Sequence, residues 1–230
     1  IPNWKNLDPV RMKALESIDP DNSYAYPYTE ISVGIGYNKD KIEEIFGKDF
    51  KFDSWDILFK PENAKKLKQC GIAVLDSPIE ITSVVMHYLG KDPSSEKASD
   101  YNEALDILTK FASNVSYFHS SRYINDLASG EVCVAVGYSG DVLQAAQRAK
   151  AEKINIEYTI PKEGSIFWFD CWTIAANADH YDNALKWFNY LQDPKVATNV
   201  ANEIRYLLPV NAAIENIDQD LKDNPSFNIP

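Results

Sequence analysis

The chain has 230 residues, a formal net charge of −11 and 45% hydrophobic residues. This length fits one large domain or two small lobes, and the apolar content is enough for a core. The negative charge argues against nucleic acid as a partner, because nucleic-acid binding requires a basic surface. No apolar run approaches the roughly 20 residues of a membrane-spanning helix, so we predict a protein that is not embedded in a membrane.

The first third of the chain is predicted to alternate helices with short strands. Residues 31–37 form a predicted strand, 39–46 a helix that a glycine ends, and 71–75 a short apolar strand. A helix with an apolar face follows this second strand. Glu80 therefore lies in the first turn of a helix, just after a strand. A carboxylate at this position either binds a cation or only stabilises the helix dipole.

The stretch 127–141 is predicted as a helix end, a turn and a strand over 132–136. Its continuous apolar run is typical of a strand buried on both faces of an α/β sheet. Tyr138 and Asp141 follow this strand, at the edge where open α/β sheets bind ligands. In the alternative interpretation, Tyr138 is a surface aromatic and Asp141 caps the next helix, 142–150.

The last third contains another aromatic strand and two helices. Residues 164–175 form the predicted strand, with Trp168 and Asp170 on the same face, and the helices span 181–192 and 195–202. A carboxylate buried between aromatics is costly without a partner. We therefore expect Asp170 either to bind a ligand or to pair with a backbone amide or a lysine.

The cysteines and the catalytic motifs exclude several classes of site. Cys70, Cys133 and Cys171 are far apart and show neither a metal-ligand spacing nor a disulfide framework. Cys133 lies in the apolar strand and is predicted as a small core residue. We find no nucleophile elbow, metal motif, P-loop or dinucleotide loop, so no cofactor is implied.

Six short motifs occur in a specific order along nearly the whole chain. They are GIGYN at 34–38, YLGKDP at 88–93, YINDLASGE at 123–131, GYSGD at 137–141, PKEG at 161–164 and WFD at 168–170. In this order they resemble the polyamine-binding proteins of ABC importers, the putrescine and spermidine receptors of the bacterial periplasm.

The resemblance implies an α/β fold of the periplasmic-binding-protein type (class II-like) and a periplasmic location. One nearly complete lobe is expected from residues 27–165 with 206–230, and part of a second lobe from 1–26 with 170–203. Compared with the family, an N-terminal segment and the final helices are missing, so we expect an internal fragment. Such a fragment is expected to expose Trp172, Trp187 and Phe188, to self-associate, and to bind ligand weakly.

The resemblance also implies a ligand set and a partner. The matching carboxylates bind ammonium groups, the matching aromatics lie along the methylenes, and one further position faces the site; these residues are Glu80, Asp141, Asp170, Trp168, Tyr138, Tyr206 and Ser77. Tyr138 departs from the tryptophan common in the family, and Ser77 from the aspartate that some members carry. The permease subunits of an ABC transporter are the implied protein partner.

Other classes of function remain open from the residues themselves. Carboxylates beside aromatic platforms also describe a glycosidase. The carboxylates of an inert interaction module would only cap helices. Tyr206 could also be a core residue.

Overall fold

The computed structural model describes residues 1–224. Contacts between the residues divide this part of the chain into two compact units. The larger unit contains residues 32–166, and the smaller unit contains residues 1–31 together with 167–224. Each unit has its own buried apolar core.

The strands are β1 Tyr26–Asn38, β2 Ile72–Val74, β3 Tyr117–Phe118, β4 Val134–Tyr138, β5 Ile156–Thr159 and β6 Phe167–Trp172. They form a mixed sheet in the order β3-β2-β4-β1-β5, and β6 pairs with β1. Strand β2 is parallel to β3 and β4, whereas β1 is antiparallel to β4 and β5.

The helices follow the apolar periodicity of the sequence. In the larger unit they are α2 Lys39–Phe46, α3 Asp56–Phe59, α4 Pro61–Leu67, α5 Pro78–Tyr88, α6 Ala98–Ala112, α7 Tyr123–Ser129 and α8 Ser139–Ala149. In the smaller unit they are α1 Pro9–Leu15, α9 Tyr181–Leu191, α10 Pro194–Ile204, α11 Asn211–Ile214 and α12 Gln219–Lys222. Short 3₁₀ helices span Pro2–Asn6 and Lys150–Glu152.

Strands β2 and β4 bring the segments that carry Glu80 and Asp141 to one edge of the sheet. They pair in parallel, with Ile72 opposite Val134 and Val74 opposite Val136. These four side chains are at most 1% exposed, which confirms the predicted burial of the central strand on both faces. Because parallel neighbours end at the same edge, the segments after β2 and β4 lie side by side.

A disulfide joins Cys70 to Cys133 across 63 positions, with 5.4 Å between their Cα atoms. The prediction that the cysteines form no disulfide is therefore wrong for this pair. The residues meet because the Cys133 amide donates to the Cys70 carbonyl at 3.0 Å, where β2 and β4 begin. Strand order brings them together, and spacing along the sequence does not reveal that order. A disulfide is typical of an oxidising compartment.

The smaller unit packs its helices against aromatic side chains of β1 and β6. Tyr26 contacts Phe188 at 4.6 Å between ring centroids, and Tyr28 contacts Trp172 at 5.0 Å. Phe188 is only 6% exposed, so its predicted exposure is wrong; the Tyr26 and Trp172 rings cover it. Trp172 and Trp187 are 38% and 51% exposed, as expected.

Residues 206–224 belong to the smaller unit, whereas the sequence predicted them in the larger lobe. The first residues of this stretch form antiparallel bridges, Glu30 with Leu207 and Leu7 with Val210. Residues 27–31 also group with the smaller unit. The part of the predicted lobe at 225–230 lies outside the described residues.

Candidate functional site

Glu80 and Tyr138 form a hydrogen bond in the larger unit. Glu80 lies in the first turn of α5, after β2, and Tyr138 is the last residue of β4. The Tyr138 hydroxyl donates to Oε2 of Glu80 at 2.9 Å. Both side chains are half-buried. The structure therefore brings together two of the predicted ligand residues and makes the tyrosine hydroxyl a partner of the carboxylate.

Asp141 lies in the first turn of α8, which begins at Ser139 rather than at the predicted position 142. Asp141 is thus inside the helix and is not its N-cap residue, because Tyr138 occupies that position. Its Oδ2 accepts a hydrogen bond from the Tyr123 hydroxyl at 2.9 Å. The carboxylate is half-buried at the same sheet edge as Glu80.

Tyr123, the first residue of α7, connects the end of β4 with Asp141 in the first turn of α8. Its hydroxyl accepts the backbone N–H of Tyr138 at 3.0 Å while it donates to Asp141. The side chain is completely buried, and a Cβ added at Gly137 would lie 2.5 Å from its ring. Glycine at 137 therefore makes room for this ring. In the sequence, Tyr123 is only the first residue of a motif, and neither its position nor that of Gly137 predicts this link.

Ser77 is the N-cap residue of α5 and lies between β2 and Glu80. Its side chain makes no capping hydrogen bond, although serine often caps helices in this way. The residue is half-buried. The structure thus places Ser77 at the same edge of the sheet as Glu80.

In the smaller unit, Trp168 and Asp170 lie two residues apart on β6. The Trp168 indole Nε1 donates to Oδ1 of Asp170 at 3.2 Å, as expected for side chains that share one face of a strand. Asp170 is exposed. Burial is the main cause that raises the pKa of the Tyr28 hydroxyl, and the negative charge of Asp170 raises this pKa further.

Tyr206 is half-buried and follows Arg205, which ends α10. The Arg205 guanidinium, 3% exposed, pairs with Asp218 at 3.0 Å and with Asp220 at 2.7 Å. These ion pairs hold the backbone on which Tyr206 lies.

The described residues contain no group of histidine, cysteine, aspartate or glutamate side chains that could hold a metal ion. Across residues 1–224, no helix has both the length and the apolar character needed to cross a membrane.

Comparisons with known proteins identify relatives along the whole chain. The chain is 45% identical over 233 residues to the Putrescine-binding periplasmic protein PotF of Escherichia coli, covering 100% of the chain and 63% of that protein. It is 42% identical over 229 residues to the Putrescine-binding periplasmic protein SpuD of Pseudomonas aeruginosa, covering 99% of the chain and 62% of that protein. The chain thus spans about three fifths of the length of these curated relatives.

Solved structures give the same fold. The spermidine/putrescine ABC transporter substrate-binding protein PotD of Streptococcus pneumoniae superimposes with a TM-score of 0.78 at 25% identity, covering 97% of this chain and 64% of that one. This similarity confirms the predicted α/β periplasmic-binding-protein fold.

The family model described as "Bacterial extracellular solute-binding protein" matches residues 1–229. This family and the relatives named above are binding proteins, so the glycosidase alternative is not supported. The family description and the names of the relatives confirm the expected periplasmic location. The chain belongs to the bacterial extracellular solute-binding protein family.

Proposed function

We propose that this protein captures a polyamine, putrescine or spermidine, and delivers it to the permease subunits of an ABC importer. The observation that carries the proposal is the sheet edge of the larger unit, where Glu80 and Asp141 follow two parallel strands. The relatives named as putrescine-binding proteins support the choice of ligand.

The chemistry of a polyamine fits these residues. Two carboxylates in the first turns of α5 and α8 present negative charge to ammonium groups. A carboxylate and an ammonium 4 Å apart attract by about 4 kcal/mol at an effective dielectric near 20. The ring of Tyr138 supplies a surface for methylenes, and a cation near an aromatic face gains roughly 0.5–2 kcal/mol.

The smaller unit contributes the second part of the proposed ligand set. Asp170 supplies charge, Trp168 an aromatic face, and Tyr206 a further ring. Ser77 in the larger unit is assigned a site-facing hydroxyl. Putrescine and spermidine would be distinguished by which carboxylates their ammonium groups reach.

Isothermal titration calorimetry tests this proposal. We expect heat of binding with putrescine or spermidine, much weaker binding with butylamine, which has a single ammonium group, and none with a malto-oligosaccharide. Asp141→Asn should weaken binding. Asp40→Asn is the matched control, because Asp40 lies in the first turn of α2 and its loss changes the net charge equally.

Equal affinity for putrescine and butylamine would contradict the proposal, as would binding of the oligosaccharide alone. Equal losses in Asp141→Asn and Asp40→Asn would mean that net charge, rather than this site, attracts the ligand.

A further inference from the structure

We infer that Tyr123 is a positioning residue of the binding site, which fixes Asp141 and the end of β4 in one arrangement. This inference rests on the proposed function, because it assigns to Asp141 the role of a ligand carboxylate. Tyr123 itself is 0% exposed and cannot touch a ligand. It acts through the two groups that its hydroxyl contacts.

The hydroxyl of Tyr123 uses both its donor and an acceptor position. It donates to Oδ2 of Asp141 at 2.9 Å and accepts the Tyr138 amide at 3.0 Å. The Tyr138 amide donates its hydrogen to the hydroxyl oxygen, and the single hydrogen of the hydroxyl is donated to the carboxylate. One buried group therefore sets the position of Asp141 relative to the strand end that carries Tyr138.

The network continues from Tyr138 to the second carboxylate. Tyr138 donates its own hydroxyl to Glu80 at 2.9 Å. Its backbone is held by Tyr123 and its side chain by Glu80, so both proposed ligand carboxylates are tied to the same residue. A carboxylate held in place before binding loses less side-chain entropy when the ligand arrives.

The ring of Tyr123 has little freedom to move. A Cβ at Gly137 would lie 2.5 Å from Cε2 of the ring and 2.8 Å from Cζ. The backbone of β4 thus packs directly against the ring, in the dense interior of the larger unit. Phenylalanine would fill the same space and would remove only the hydroxyl.

Tyr117 provides a matched control. Its hydroxyl donates to Asp126 at 2.7 Å, so it forms the same kind of tyrosine–aspartate bond. Asp126 lies on α7, the helix that also carries Tyr123, but it is not among the proposed ligand residues. Tyr117→Phe therefore removes an equivalent bond without touching Asp141.

The first measurement needs no ligand. Hydrogen exchange should show a protected Tyr138 amide in the parent, faster exchange in Tyr123→Phe, and no change in Tyr117→Phe. An unprotected Tyr138 amide in the parent, or unchanged protection in Tyr123→Phe, would overturn the inference. The measurement on the parent protein can therefore overturn the inference even if the Tyr123→Phe variant does not fold.

The second measurement is a double-mutant cycle on putrescine affinity. Tyr123→Phe should weaken binding about tenfold, as expected for the loss of a hydrogen bond to a charged group. In the Asp141→Asn background the same change should have little further effect, because Asp141 no longer carries the charge. Tyr117→Phe should bind like the parent.

A full additional loss in the Asp141→Asn background would make Tyr123 an ordinary core residue and overturn the inference. If the parent binds no polyamine at all, the proposed function fails, while the exchange of the Tyr138 amide still decides whether Tyr123 holds the strand end.

Discussion

The two units hold their candidate carboxylates in different ways. In the larger unit, Asp141 accepts a hydrogen bond from Tyr123 of α7, and Glu80 accepts one from Tyr138 at the end of the buried strand β4. In the smaller unit, Asp170 is exposed and accepts a bond from Trp168, two residues away on the same strand. The larger unit therefore holds two half-buried carboxylates through tyrosine hydroxyls, whereas the smaller unit presents one exposed carboxylate with an indole partner.

This difference has an energetic consequence. A carboxylate that is already oriented and partly desolvated interacts strongly with an ammonium group, and its removal is costly. An exposed ion pair contributes only about 0–1 kcal/mol. We therefore expect the larger unit to supply most of the binding energy that this 230-residue chain can reach.

The larger unit also contains the Cys70–Cys133 disulfide, and removing this bond should have the largest effect. Crosslinking residues 63 positions apart stabilises a fold by about 4 kcal/mol in the chain-entropy model. We expect the double variant Cys70→Ala and Cys133→Ala to lose about this much stability in the larger unit. Urea-dependent hydrogen exchange of the β2 and β4 amides measures it.

Cys171→Ala is the control, because Cys171 is a free cysteine of the smaller unit. If the α9 and α10 amides lose as much protection as those of β2 and β4 in the double variant, the disulfide does not stabilise the larger unit more than the smaller one.

Charge removal compares the two units directly. We expect Asp141→Asn to reduce putrescine affinity by about 2–3 kcal/mol, because the oriented carboxylate is partly desolvated. Asp170→Asn should cost only about 0–1 kcal/mol in this chain. Calorimetric titrations of both variants measure the two losses of affinity. A larger loss for Asp170→Asn would mean that the carboxylate of the smaller unit contributes more to binding.

Substitutions of Trp168 test whether the smaller unit also contributes an aromatic face to binding. Trp168→Ala removes both the ring and the indole donor, whereas Trp168→Phe keeps a ring. We expect a loss of about 1 kcal/mol for alanine and less for phenylalanine, as for a cation near an exposed aromatic face. Equal losses in the titration would assign the effect to the indole N–H that contacts Asp170.

The smallest expected effect concerns acid stability of the larger unit. Glu157 accepts hydrogen bonds from Tyr37 and Lys39, each at 2.7 Å. Burial acts to raise the pKa of Glu157, but the bonds from Lys39 and Tyr37 outweigh it and lower this pKa below 4.5. A lowered folded-state pKa adds stability above the unfolded pKa and loses it as the pH falls through the folded pKa.

We therefore expect Glu157→Gln to make the larger unit less sensitive to acid below pH 4.5. The contribution is under about 1 kcal/mol because the ion pair is partly exposed. Urea unfolding at pH 7 and pH 3 measures it, with the exposed Glu152→Gln as control. An unchanged pH dependence in Glu157→Gln would show that the Lys39–Glu157 ion pair does not contribute to the acid sensitivity.

Several elements followed from the sequence because their signals are local. The helix Lys39–Phe46 was predicted with its bounds, since Gly47 ends it with φ of 94°. The strand of the central motif was predicted from its apolar run, although the structure shifts it to Val134–Tyr138. Strand β3 was missed, because two residues carry no periodicity.

The sequence by itself identified the type of protein, because six motifs resemble those of a known family, and it placed Glu80, Asp141 and Asp170 after or within predicted strands. Only the tertiary structure decided which groups touch. The Cys70–Cys133 bond and the link from Tyr123 to Asp141 join residues 63 and 18 positions apart. The disulfide depends on the pairing of β2 with β4, and the Tyr123 link depends on how α7 packs against β4 and α8, and neither arrangement is encoded in the local pattern of the chain.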